Sequence, residues 1–209
     1  DEPAAIANEH YIPIEKHGIH AMSMGLLVDK ATPLVWRGPM ASAYMQQLIT
    51  KTQWPALDYL LVDLPPGTGD IQLSLCQKIP LSGVALISTP HKLSLDDCAK
   101  ANQMLDKMHI AKLGLITNMD GYTCSHCHQH NTIFTEDVAA WATQHNLPHL
   151  GSIPLDQDLA HSQTLGAPLV TQQHPLQERF RRIAVSLAAT LSERPVAQRS
   201  KFPRIVVES

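Results

Sequence analysis

Three stretches of this chain carry an apolar run into turn residues, and they restrict its fold more than any other feature. They are Asp58-Tyr-Leu-Leu-Val-Asp-Leu-Pro-Pro-Gly67, Gly83-Val-Ala-Leu-Ile-Ser-Thr-Pro90 and Lys112-Leu-Gly-Leu-Ile-Thr-Asn-Met119. Each run is nearly continuous in apolar residues rather than alternating, which is the pattern of a strand covered on both faces. Helical patterns lie between the runs. Leu95, Cys98, Ala101, Leu105 and Met108 form a helical stripe after Ser94-Leu-Asp-Asp97, which reads as a cap with acids in the first turn. Further helices are expected near 40–51, 70–78, 135–146 and 176–192, with short strands at His149–Pro154 and His20–Leu27. The alternation predicts an α/β fold with a mainly parallel sheet flanked by helices. It is read as a single domain over residues 1–192 with a loosely packed tail at 193–209.

At 209 residues the chain is long enough for one domain with a sizeable core. A net charge of -3, with 17% charged residues, argues against an electrostatic nucleic-acid binder, which needs a clustered basic face. Arg179, Arg181 and Arg182 are read as a solvated helix face. No apolar run approaches the roughly 18 residues of a membrane span. Residues from Asp1 onward carry no signal-peptide pattern, so neither nucleic acid nor membrane is expected as a partner. Asp1 is not an initiator methionine, which points to a fragment or a processed product. Four cysteines are too sparse for a disulfide scaffold and favour a reducing, cytoplasmic compartment. Cys76 and Cys98 fall in helical apolar patterns and read as small buried hydrophobes.

Three motifs carry chemistry. In Asp63-Leu-Pro-Pro-Gly-Thr-Gly-Asp70 an aspartate ends a buried strand, where its charge needs compensation. That edge is where nucleotide-binding α/β folds place ligands and Mg²⁺, and the Pro65, Pro66, Gly67, Gly69 turn could approach a phosphate. A plain strand-to-helix turn capped by Asp70 is the competing reading. Asn118, in Ile116-Thr-Asn-Met119, can both donate to and accept from a purine edge, or it can close an Asx-turn. Cys124-Ser-His-Cys127 brings two sulfurs to one point, which suits zinc, an iron–sulfur cluster or a redox dithiol, or leaves two inert thiols. Two thiolates are half of a four-fold donor set. Either His126, His128 and His130 complete it as a zinc site, or a second copy of the chain does. The histidines read first as solvated loop residues.

Taken together, these motifs resemble the Mrp/ApbC family of ATP-binding iron–sulfur cluster carriers, which belong with the MinD-like (SIMIBI) deviant P-loop NTPases. The matching pieces are Val35-Trp-Arg-Gly-Pro-Met40, Leu57 through Leu73, Ile116–Met119, the cysteine pair with Ile133-Phe134 after it, and Ile153-Pro-Leu-Asp156, spanning about residues 12–190. The resemblance implies that Asp63 serves the nucleotide-bound Mg²⁺ and, with Thr68, takes the catalytic part in ATP hydrolysis. It implies that Pro66, Gly67 and Thr68 sense the γ-phosphate, that Asn118 reads the base, and that Pro154 and Leu155 pack near it. It implies that Cys124 and Cys127 ligate a [4Fe–4S] cluster bridging a homodimer, which ATP turnover releases to apo iron–sulfur proteins.

The chain departs from the family in one large respect. It has no G-x-x-x-x-G-K-[ST], and its ten glycines are scattered. The P-loop and first strand are missing from the sequence, so phosphate binding loses its main electrostatic support. The chain is therefore expected to be the downstream part of a longer protein. The alternative is a degenerate relative, acting as a non-enzymatic zinc-binding or interaction domain. A MinD-like positioning ATPase has no use for the cysteine pair, and no terminal amphipathic helix is present for it. Phe134 also runs straight into Thr135-Glu136, without the glycine-rich stretch common in the family.

Overall fold

The structure is a computed structural model that describes residues 6–7, 10–27, 38–64, 70–79 and 81–194. Their contacts form two units, one ending at Ile79 and one running from Leu81 to Arg194.

In the first unit β1 (Ile6–Ala7) pairs antiparallel with β2 (His10–Tyr11), and β3 (Ile14–Lys16) with β4 (Ile19–Ala21). His17 and Gly18 between β3 and β4 both have positive φ, 55° and 75°, the type I′ geometry that matches strand twist. The strand expected over His20–Leu27 stops at Ala21. Ser23 Oγ accepts the Gly25 N–H and starts a 3₁₀ turn at Met24–Leu26 instead. α1 (Gly38–Thr50) and α2 (Asp70–Lys78) form where expected and pack together. Leu48, Trp54, Leu75, Cys76 and Ile79 are buried in this unit.

The apolar run at 57–64 does not form the expected strand. Tyr59 is 58% exposed and Leu61 83%. A strand exists only where a neighbour takes its N–H and C=O groups, and no strand among the described residues pairs with this run. Pro66, Gly67 and Thr68 lie outside the described residues, as does Val35-Trp-Arg37.

The second unit holds β5 (Val84–Ser88), α3 (Lys92–Lys107), β6 (Lys112–Thr123), β7 (His130–Asn131), α4 (Val138–Gln144), β8 (His149–Leu155), α5 (Gln157–Leu165), a 3₁₀ turn at Leu169–Thr171, and α6 (Pro175–Ser192). β6 is central, parallel to β5 on one side and β8 on the other, with β7 antiparallel at its far end. Successive residues of β6 point to opposite faces, so each face has its own core. Leu115 packs with Leu86, Leu95, Cys98, Leu105, Val138, Ala142 and Leu147 beneath α3 and α4. Ile116 packs with Leu150 and Ile183 beneath α6. Each leucine, isoleucine or valine among them contributes about 1.5–3 kcal/mol on removal from water.

Helix starts differ from expectation where side chains cap earlier or later. His91 Nδ1 accepts the Leu93 N–H at 3.3 Å, so α3 begins at Lys92 and Asp96 and Asp97 fall in its second turn. Asp137 Oδ1 accepts the Ala140 N–H at 3.0 Å and delays α4 to Val138. α5 was not expected from the sequence pattern. Among the described residues no helix is long and apolar enough to cross a membrane.

Candidate functional site

β6 runs in the parallel sheet as far as Asn118, which sits opposite Ile153 of β8. The ladder then breaks and resumes at Tyr122 opposite Leu155. Met119, Asp120 and Gly121 thus face the single residue Pro154, an enlarged bulge that bends and twists the strand. Met119 takes φ 58°, a left-handed conformation that costs a side-chain-bearing residue about 1–2 kcal/mol. Gly121 takes φ 74°, and a Cβ there would overlap the Asn131 carbonyl oxygen and lie 2.8 Å from His130 Nε2. Only glycine fits this position. Past the bulge, Tyr122 and Thr123 pair with Asn131 and His130, so the end of β6 becomes one arm of a hairpin.

The hairpin loop carries the two cysteines. The Cys124 N–H donates to the Gln129 carbonyl and its own carbonyl accepts from the His128 N–H, both at 2.9 Å. His128 turns the chain back with φ 56°. Cys124 Sγ accepts hydrogen bonds from the backbone N–H groups of Cys127 and His126 and from the Cys127 thiol, which hold it below the usual thiol range. Hydrogen bonds to the charged form favour the thiolate, the species that binds soft metals. Cys124 is half-buried, Cys127 is exposed, and neither is in a disulfide. Cys76 and Cys98 are buried as expected, and burial raises both thiols, Cys98 to about 11.

His126, His128 and His130 are exposed. Among the described residues they do not join the cysteines in a three-donor set. The one set of three donors within 4.8 Å is Asp156, Asp158 and His174. Each of its main members already has local work. Asp156 Oδ1 caps α5 by accepting the Asp158 and Leu159 N–H groups. His174 Nδ1 caps α6 by accepting the Leu176 N–H at 3.2 Å. Its Nε2 faces Asp158 Oδ2 at 3.4 Å.

Asn118, Pro154 and Leu155 come together at the carboxyl edge of the sheet, on adjacent strand ends. The Asn118 Oδ1 accepts the N–H of the next residue, Met119, at 3.0 Å, whereas an Asx-turn would take the N–H two residues on. The cysteine hairpin leaves from this same edge. Its exit is pinned by Phe134, whose ring meets that of His91 edge-on at 5.4 Å. Asp63 is exposed and belongs to the first unit. Sequence reasoning missed the bulge and β7. The Asp120-Gly121 dipeptide inside an apolar strand was the signal for both.

A family model described as ParA, NUBPL iron-transfer P-loop NTPase, matches residues 1–188. The iron–sulfur cluster carrier protein of Pseudomonas fragi is 41% identical over 179 residues, which cover 84% of this chain and 62% of that protein. The carrier protein of Escherichia coli K12 is 38% identical over 192 residues, 90% of this chain and 52% of its own length. The mouse iron–sulfur cluster transfer protein NUBPL is 40% identical over 172 residues, 82% of this chain and 54% of that protein. The chain thus spans between about half and three-fifths of these relatives. Among solved structures, a nucleotide-binding protein from Archaeoglobus fulgidus in complex with ADP matches with TM-score 0.66 and 30% identity, over 79% of this chain and 65% of that one. The Pyrococcus furiosus cell division ATPase MinD matches with TM-score 0.53 and 20% identity, over 71% of this chain and 58% of its own, a likeness of fold alone. The parallel sheet, the family model and the curated relatives agree, and the chain belongs to the NUBPL family of iron-transfer P-loop NTPases, the iron–sulfur cluster carriers.

Proposed function

We propose that this chain acts as an ATP-dependent iron–sulfur cluster carrier in the cytoplasm, as one α/β domain over residues 1–192 with a tail at 193–209. Two copies hold one [4Fe–4S] cluster as cargo, through Cys124 and Cys127 of each, and deliver it to apo iron–sulfur proteins. The observation that carries the reading is the hairpin itself. It sets two sulfurs side by side, with backbone N–H groups on one of them, and no third donor joins them among the described residues. A cubane needs four protein ligands, so the missing two come from a second copy.

The nucleotide part of the reading assigns Mg²⁺ to Asp63, γ-phosphate sensing to Pro66, Gly67 and Thr68, and hydrolysis to Asp63 with Thr68. Asn118 reads the base, with Pro154 and Leu155 packed near it. Its support is the juxtaposition of those last three residues and the ADP-bound relative. Anaerobic reconstitution with iron and sulfide tests the cargo. The expected product is an oxygen-sensitive chromophore with about four irons per dimer. A Cys124→Ala/Cys127→Ala chain that still holds the cluster overturns the reading. One zinc per monomer after purification without added iron does the same.

A further inference from the structure

The turn between β5 and α3 touches the return limb of the cysteine hairpin through one pair of rings. β5 runs parallel to β6 with Ser88 opposite Thr117, so this turn opens on the same carboxyl edge as Asn118. The turn is tied together locally. Ser88 Oγ donates to the Thr89 carbonyl at 3.2 Å, and Thr89 Oγ1 donates to Ser94 Oγ at 2.8 Å. His91 ends it, and its Nδ1 accepts the Leu93 N–H at the start of α3. That bond fixes the plane of the ring, and in that plane the ring meets Phe134 at 80° with centroids 5.4 Å apart. Phe134 lies on the return from β7 to α4, whose far end the Asp137 cap secures. The hairpin thus has two roots, the Met119–Gly121 bulge on the way out and the His91–Phe134 pair on the way back. Neither ring belongs to a core cluster.

We propose that this pair is a latch: His91 and Phe134 are positioning residues that hold the cysteine hairpin to the carboxyl edge of the sheet, and opening their contact speeds the loss of cargo. The proposal rests on the cluster-carrier reading above. The coupling comes from one ring with two tasks. Nδ1 of His91 is bound to the first turn of α3, and the same ring packs on Phe134, so a shift of that turn tilts the ring and loosens the hairpin. In open α/β sheets the carboxyl edge is where ligands bind, which places the turn where an occupant of the edge can move it. An edge-to-face pair of this kind favours the closed arrangement by about two- to tenfold. That is enough to set a rate and small enough to be reversed during transfer.

The test uses the full chain with His91→Asn, Phe134→Leu and both together. Asparagine is a good helix cap, so His91→Asn keeps the start of α3 and removes only the ring. Hydrogen exchange of the empty chain is read first. The Cys124 and His128 amides should exchange about two- to tenfold faster in either variant, while the Leu115 amide, which donates to the Pro148 carbonyl, keeps its rate. The double variant should match the singles, because each removes the same contact. The second readout is iron loss from anaerobically loaded protein to a ferrous chelator, which should quicken by the same factor. Unchanged exchange at Cys124 and His128, or additive effects in the double variant, overturns the latch and leaves the carrier reading intact. An equal rise at Leu115 makes the pair a general stabiliser and overturns it too, as does faster exchange with unchanged iron loss. A wild-type chain that takes up no cluster overturns the carrier reading and the latch's part in release with it.

Discussion

Replacing Gly121 by alanine should open the cysteine hairpin and leave the core standing. Gly121 has φ 74°, and alanine pays about 1–2 kcal/mol for a left-handed conformation. The new methyl also overlaps the carbonyl oxygen of Asn131, a backbone atom that cannot rotate away. β7 must move, which costs a further ~1–3 kcal/mol by analogy with overpacked sites. The total is about 2–5 kcal/mol. At about 1.4 kcal/mol per tenfold, that multiplies the open fraction of the hairpin by at least an order of magnitude. The cost stays local because no residue of 119–134 belongs to either core cluster. Hydrogen exchange by mass spectrometry is the assay. The Cys124 and His128 amides, which bond within the loop, should lose protection, while Leu115 and Ile116 keep theirs. Iron uptake at the cysteine pair should fall in parallel. Met119→Gly is the counterpart: it removes a left-handed methionine and should stabilise the bulge by about 1 kcal/mol. Unchanged protection at Cys124 and His128 in Gly121→Ala would refute the reasoning, and so would global unfolding.

Three further outcomes follow from particular residues. Near neutral pH iodoacetamide should label Cys124 before Cys76 and Cys98 in the empty chain, because its thiol is lowered while burial raises those two; faster labelling of a buried thiol would contradict this. Leu115→Ala, at a fully buried position of β6, should cost about 2–5 kcal/mol in denaturant unfolding. Leu61→Ala, at an 83% exposed position, should cost almost nothing, and a comparable loss there would mean that the run at 57–64 is packed. Glu178 is held down to about 2 by hydrogen bonds from Arg181 and Arg182. A carboxyl lowered in the folded state adds stability above its ordinary value of 4.5 and loses it as pH falls through about 2. Thermal midpoints of Glu178→Gln and wild type should therefore differ at neutral pH and converge near pH 2, and a constant gap would show that the pair does not act through charge.

Much of the site was legible before any coordinates. Cys124 and Cys127 are two residues apart in the spacing that joins sulfurs, and a strand-ending Asn118 needs only the apolar run before it to be placed. The histidines were harder to read. His91 and His174 carry no helix-cap signal in the sequence, yet both spend Nδ1 on the first turn of a helix, because a ring nitrogen can accept a backbone N–H as well as bind a metal. Nothing local distinguishes the two uses.

Sequence alone determined the alternation of strand and helix, the covering of β6 on both faces, and the closeness of two cysteines along the chain. Those depend on side-chain period and short loops, and both are properties of neighbours along the chain. Tertiary structure decided whether an apolar run becomes a strand. Lys112–Thr123 finds partners on both sides and does; the run at 57–64 finds none among the described residues and does not. It also decided that β6 bulges at Met119–Gly121 and carries the cysteines out of the sheet, because a bulge is a mismatch between two strands and exists only once β6 and β8 have paired.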